Sequence, residues 1–131
     1  MRHPRYDIVD DCKGRLVEQF SFITPLTGYE HESRLIELDR SGLLTIKEGF
    51  TWDFGSGPAI DTPDMVYGSL AHDALYRLMI LKVIPWNQRR KIDRYFQCLL
   101  KEAGMGWMRR QWVYAGVRVG YPLTKLFPGL V

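Results

Sequence analysis

Ala71-His72-Asp73-Ala74-Leu75-Tyr76-Arg77 lies in the middle of the first stretch of the chain that reads with a helical period. His72, Leu75 and Met79 share a face by the 3–4 spacing, as do Tyr76 and Ile80, and Tyr76 lies four residues after His72 on the same face. Thr62-Pro63 supplies the start signal, a capping residue followed by proline at the first helical position. The stop must come before Pro85, because the residue preceding a proline disfavours the α region. The chain upstream of this helix reads as strands and turns, and the chain downstream reads as helices. That change of period sets the fold class.

Upstream, Leu16–Ile23 mixes apolar and polar positions with several β-formers and is closed by Pro25, after a turn at Asp11-Cys12-Lys13-Gly14. Glu32–Leu38 is a second candidate strand, ended by Asp39-Arg40-Ser41-Gly42, and Leu43–Ile46 is a third. Strands joined by a Gly-containing turn predict a small antiparallel sheet. Phe50–Pro58 is then aromatic and Gly-rich, a loop able to turn its own carbonyls toward a ligand or simply to connect sheet to helix with Trp52 and Phe54 plugging the core. Downstream, a second helix is expected over Pro85–Ala103, with Ile92, Phe96, Leu99, Leu100 and Ala103 inward and Gly104 and Gly106 ending it. A third is expected over Trp107–Val119, with Met108, Trp112, Ala115 and Val119 inward and Arg109, Arg110 and Arg118 at least partly solvated. Short connections predict that the first two helices lie antiparallel.

The expectation is therefore one α+β domain of 131 residues. Its parts are a strand-rich 1–48, a Gly-rich loop 49–64, a helical 65–120 and a tail 121–131. The length suffices to bury a core. Charge is unevenly spread: residues 1–66 carry 7 Lys/Arg and 12 Asp/Glu (−5), residues 67–131 carry 11 and 3 (+8), together +3. Such asymmetry suits an anionic partner or two halves that attract each other, and the dispersed cations favour the second reading. Two cysteines, Cys12 and Cys98, make no disulfide framework, and Cys98 reads as a buried thiol. No signal peptide or membrane span is legible, so the expected location is the cytoplasm at synthesis.

Three residues carry the chemical interest. His72 suits a general base near neutral pH, and Asp73 suits a hard cation such as calcium. As helix neighbours they point about 100° apart and line two walls of one cavity. Asp93, at the edge of the second helix's apolar stripe, needs a partner or must accept a raised pKa, and His72 and Tyr76 are the natural candidates. An aspartate orienting an imidazole that takes a proton from water is established catalytic logic. Against it stand local partners: Arg77 at i+4 from Asp73, and Arg89 and Arg90 at i−4 and i−3 from Asp93. There is no phosphate loop, nucleophile elbow, zinc-spaced cysteine pair or recognised nucleic-acid motif.

The ordered set Gly49-Phe50-Thr51-x-Asp53-x-x-Ser56, Ala71-His72-Asp73-x-Leu75-Tyr76-Arg77 and Asp93-x-x-Phe96 resembles a phage and prophage family, domain of unknown function 1353. Gly104, Tyr114, Val117-Arg118 and Gly120 resemble its closing segment, so the likeness covers about residues 45–120. Gly57 stands between the serine and Pro58, a small departure from that family's pattern. This resemblance implies a phage-encoded structural or assembly protein, tail- or virion-associated and oligomeric, that passes from the host cytoplasm into the particle.

More locally, His72-Asp73-x-x-Tyr76 and Asp93-Arg94 resemble the helix pair of secretory phospholipases. Carried over, that likeness makes His72 the base, Asp93 its orienter held by Tyr76, and Asp73 a calcium ligand. The shell would be completed by the loop around Asp53, Gly55 and Gly57. The flanking cysteines and the Tyr-Gly-Cys loop pattern of those enzymes are missing. It implies a calcium-assisted hydrolase acting on an ester or amide of the cell envelope, as the alternative to a cluster that only pins two helices to the loop.

Overall fold

A computed structural model describes residues 2–10, 13–53 and 62–126, with the side chains of 10 and 119–126 left out. Seven strands precede three helices: β1 (Tyr6–Asp10), β2 (Lys13–Leu16), β3 (Phe20–Ile23), β4 (His31–Glu32), β5 (Ile36–Leu38), β6 (Leu43–Ile46), β7 (Thr51–Asp53), α1 (Pro63–Ile80), α2 (Arg89–Glu102) and α3 (Trp107–Leu126). The α+β architecture is the one the change of period predicts. The strands form two antiparallel sheets, ordered β1-β2-β7 and β3-β6-β5-β4.

The expected strand at Leu16–Ile23 is two strands belonging to different sheets, broken at residues 17–19. Leu16 and Phe20 both face the core, and the intervening bend lets one continuous apolar pattern serve two layers. Lys13 and Gly14, expected in a turn, already lie in β2. Glu32–Leu38 is likewise divided by a bend, in which Ser33 Oγ receives the Ile36 N–H at 3.2 Å. Between β5 and β6, Gly42 takes φ +96°, and a Cβ there would stand 2.3 Å from the Thr24 carbonyl oxygen. Only glycine permits that approach.

Alternation places Phe20, Phe22, Ile36, Leu38, Leu44 and Ile46 inward. They meet α1, which is buried around most of its circumference: Leu70, Ala71, Ala74, Leu75 and Leu78 have no exposed surface. The paired faces assigned to α1 from spacing are both inside, apart from Ile80 at the helix end, which is exposed. α2 is strongly amphipathic, burying Ile92, Asp93, Phe96, Leu99 and Leu100. Contacts from Gly68 to Phe96 and Leu100, and from Tyr76 to Asp93, run in opposite senses along the two helices and make them antiparallel. The pass between them is close, since a Cβ on Gly68 would lie 2.8 Å from Leu100 and 2.9 Å from Phe96.

Helix α3 departs from its expected facing. Val113 is buried and Val117 packs on the Met65–Phe96–Leu100–Met105 cluster, whereas Met108, Trp112 and Ala115 face solvent. The helix also runs on to Leu126, past the expected Val119. Its apolar residues occupy two faces, so periodicity alone does not mark the packed one. Cys98, expected buried, is exposed; it stands about 100–160° away from the inward residues Ile92, Phe96 and Leu99. Among the described residues, one ion pair joins the acidic and basic halves, Arg109 with Asp64 at 3.8 Å; the others join residues of the same half.

Candidate functional site

Asp93 has no exposed surface, and a bare carboxylate in that position would carry a heavy desolvation penalty. The penalty is offset by donors from three helices. From α1, His72 Nε2 lies 2.8 Å from Asp93 Oδ1, and the Tyr76 hydroxyl donates to the same oxygen. From α3, Arg118 Nη1 donates to Oδ2 at 2.9 Å, and from α2 itself Arg89 Nε stands 3.8 Å from Oδ2. Arg89 also ties α2 to α3 directly, its Nη2 donating to the carbonyls of Val117 (3.3 Å) and Arg118 (2.6 Å).

Burial works to raise the Asp93 carboxyl, but hydrogen bonds from His72, Tyr76 and Arg118 outweigh it and bring it below the usual carboxylate range. Tyr76 moves the opposite way: burial, then the adjoining carboxylate, raises its hydroxyl well above the ordinary tyrosine value, so it remains a donor. With Asp93 ionised and accepting, Nε2 of His72 carries the hydrogen. In the neutral imidazole this leaves Nδ1 as a lone-pair acceptor, and no hydrogen bond to it exists among the described residues. The ring is held between aromatic neighbours, 4.0 Å from Tyr76 and 4.6 Å from Phe96 between centroids, and keeps 8% of its surface exposed.

Asp73 occupies a separate wall, as adjacent helix positions require. Its Oδ2 accepts the Asp53 backbone N–H at 3.2 Å, which joins the end of β7 to the middle of α1. Burial pushes the Asp73 carboxyl up to about 6, against the opposing influence of His72. The expected i,i+4 pairing with Arg77 is absent; that guanidinium lies over the Phe50 ring, 4.5 Å from its centroid. Nearby, Trp52 is buried and its indole N–H donates to Ser69 Oγ at 3.1 Å, so it does serve as a plug.

Of the residues singled out in the sequence, His72, Tyr76 and Asp93 are brought into direct contact, and Asp73 and Asp53 into a second contact beside them. Gly55, Gly57 and Phe54 lie outside the described residues. For calcium, the described shell amounts to the Asp73 and Asp53 carboxylates, and no group of three or more His, Cys, Asp or Glu side chains among the described residues could hold a metal. A carboxylate raised by burial is the kind of group a cation would restore to its ionised form, so Asp73 fits as one ligand. Arg118 is the participant that sequence reading misses. It is expected among the partly solvated arginines, and its distance of 25 residues from Asp93 carries no periodic signal. A cleft of about 760 Å³, lined by Ile23, Pro25, Lys91, Arg94 and Cys98 among others, opens along the outer side of α2, away from Asp93.

Beyond geometry, the model of one protein family, DUF1353, described as a protein of unknown function, matches residues 31–117. The chain belongs to the DUF1353 family. The matched span covers β4 through most of α3 and includes His72, Tyr76, Arg89 and Asp93, with Arg118 one residue past its end, while β1, β2 and β3 lie outside it. No curated protein and no solved structure matches the chain, so DUF1353 membership brings a family without an assigned activity.

Proposed function

We propose that the protein is a phage-encoded structural or assembly component, tail- or virion-associated, in which the His72–Asp93 cluster works as a pin. The phage assignment rests on the sequence resemblance. The observation carrying the mechanical part is that one fully buried carboxylate takes hydrogen bonds from α1 and α3 while standing on α2. A pin of this kind fixes helix register, a recognised use of buried ionic groups. No helix is long and apolar enough to cross a membrane among the described residues. His72→Leu tests the pin: loss of a buried hydrogen bond should lower the melting temperature by about 4–12 °C. Mass spectrometry of purified particles tests the assignment, and absence of this chain from the virion refutes it.

A second reading is favoured by the imidazole tautomer and by Asp73 beside it: a calcium-assisted hydrolase of envelope esters or amides. Here His72 Nδ1 takes a proton from water and the hydroxyl oxygen adds to the acyl carbon. The acyl–oxygen or acyl–nitrogen bond then breaks, with the imidazolium returning its proton to the leaving group. Asp93 and Tyr76 hold the ring and stabilise its charged form. Bound calcium, held by Asp73 with Asp53, would supply positive charge to polarise the carbonyl. Calorimetric titration with calcium checks it, and no binding down to millimolar affinity removes this reading. Two substitutions separate the two: hydrolysis abolished in His72→Gln, which keeps a donor to Asp93, favours the enzyme, whereas a large loss of stability in His72→Leu with no hydrolysis in the parent favours the pin.

A further inference from the structure

Helix α3 is apolar on two sides. One side, Val113 with Val117, is used in packing against α2. The other is not: Trp107, Met108 and Trp112 are 66%, 73% and 69% exposed, and Ala115 and Gly116 continue the same bare face. Met108 and Trp112 share one side of the helix and Trp107 stands at its first turn, so three large apolar side chains are exposed within six residues, unlike the scattered single exposures usual on protein surfaces. The cost of leaving them in water calls for a partner that covers them.

The chemistry of that partner is set by charge and shape. Residues 86–118 hold 8 Lys/Arg (Arg89, Arg90, Lys91, Arg94, Lys101, Arg109, Arg110, Arg118) and 2 Asp/Glu (Asp93, Glu102), a balance of +6. Asp93 is sealed inside and already taken by its own cluster. Arg90, Lys91, Arg94 and Lys101 are exposed and form no ion pair among the described residues. The α2–α3 hairpin therefore presents apolar aromatic surface together with uncompensated positive charge. The aromatic residues stand on the convex surface of a helix and not in a groove; the 760 Å³ cleft is lined by other residues, the cations Arg90, Lys91 and Arg94 among them. A convex apolar ridge suits a planar surface better than a threaded strand. Tryptophan, with an apolar body and one N–H, is the side chain best matched to a bilayer interface.

We infer that the α2–α3 hairpin docks on an anionic lipid surface, with Trp107, Met108 and Trp112 entering the headgroup region and the exposed cations meeting lipid phosphates. The contact is peripheral. Lipid docking and virion assignment are independent: particle analysis can fail while vesicle binding succeeds, and the reverse.

The test uses the full chain and vesicles of phosphatidylcholine with and without about 30% phosphatidylglycerol, the anionic component that attracts basic segments. Vesicle co-sedimentation should be at least about tenfold stronger with the anionic lipid and should weaken as salt is raised. Tryptophan emission should shift to the blue, and lipids brominated on the acyl chain should quench it. Trp52 is buried in the core and Trp86 is partly buried, so the quenching lost in W107S/M108S/W112S is the part that reports Trp107 and Trp112. W107S/M108S/W112S should lose partitioning with little change in melting temperature, and the wild-type quenching measurement stands even if that variant does not fold. Lack of partitioning overturns the inference, as does partitioning that the variant retains. Sedimentation velocity without lipid gives another opposing outcome: a dimer that protects these tryptophans would assign the face to a second copy. Tighter binding of a labelled single-stranded DNA, quenched through the same indoles, would assign it to nucleic acid.

Discussion

Replacing Asp93 by Asn changes one atom and removes one charge from the centre of the helical layer. Asp93 has no contact with solvent, and its two oxygens are shared by His72, Tyr76 and Arg118, with Arg89 at 3.8 Å. The amide keeps the shape but offers one acceptor oxygen, and it turns an NH₂ group toward side chains that are themselves donors. It also leaves Arg118 and Arg89 without their counter-charge in a half-buried setting. Breaking a buried ion pair from one side costs about 3–5 kcal/mol, a large share of a typical domain's stability. At roughly 2.1 cal/mol/K of unfolding entropy per residue, a chain of this size loses about 4 °C of melting temperature per kcal/mol, so the fall should be roughly 12–20 °C. Circular dichroism melts at neutral pH measure it, with coincidence of near- and far-ultraviolet transitions as the check on two-state behaviour. A change of less than about 3 °C would refute the reasoning, since it would mean that the donors are satisfied equally well without the charge. Arg118→Met in both backgrounds then reads the coupling directly, and the two losses should be far from additive.

Asp73 gives a pH-dependent counterpart of opposite sign. Its carboxyl is raised in the folded state to about 6 from 3.8, so the native state binds that proton more tightly than the unfolded chain does. The group therefore destabilises the fold above about pH 6, and this penalty disappears as pH falls through 6 toward 3.8. Two pKa units set a ceiling of about 3 kcal/mol, reduced because Asp73 keeps part of its surface in water. Asp73→Asn should gain stability over the parent at pH 7.5 and lose that advantage near pH 4; an equal difference at both values would contradict the raised carboxyl. Gly42→Ala and Gly104→Ala form a matched pair, since both glycines sit at φ near +100° but only Gly42 would drive a Cβ against a backbone oxygen. Denaturant titration should show about 1 kcal/mol lost at Gly104 and at least about 2 kcal/mol at Gly42. Similar losses at both would show that the Thr24 contact relaxes.

Strand-and-helix order, and the pairing of α1 with α2, were legible because they depend on local chemistry. Thr62-Pro63 starts a helix wherever it meets an apolar period, Gly104 ends one, and alternating Phe20-Ser21-Phe22 makes a strand. The His72–Tyr76–Asp93 contact was legible for the same reason: i,i+4 spacing puts two side chains on one face, and a carboxylate at an apolar edge must seek a donor across the hairpin. The division of Leu16–Ile23 between two sheets was not legible, because both halves show the core the same alternation. The packed face of α3 was hidden because its apolar residues lie on two sides, and only contact with Met65, Phe96 and Leu100 selects Val113 and Val117. That selection leaves Trp107, Met108 and Trp112 outside and brings Arg118 across to Asp93. Residue type and spacing determined which groups needed partners. The tertiary packing of α3 on α2 decided which partner each received, because burial and a 2.9 Å ion pair between residues 25 apart in the chain have no local signature.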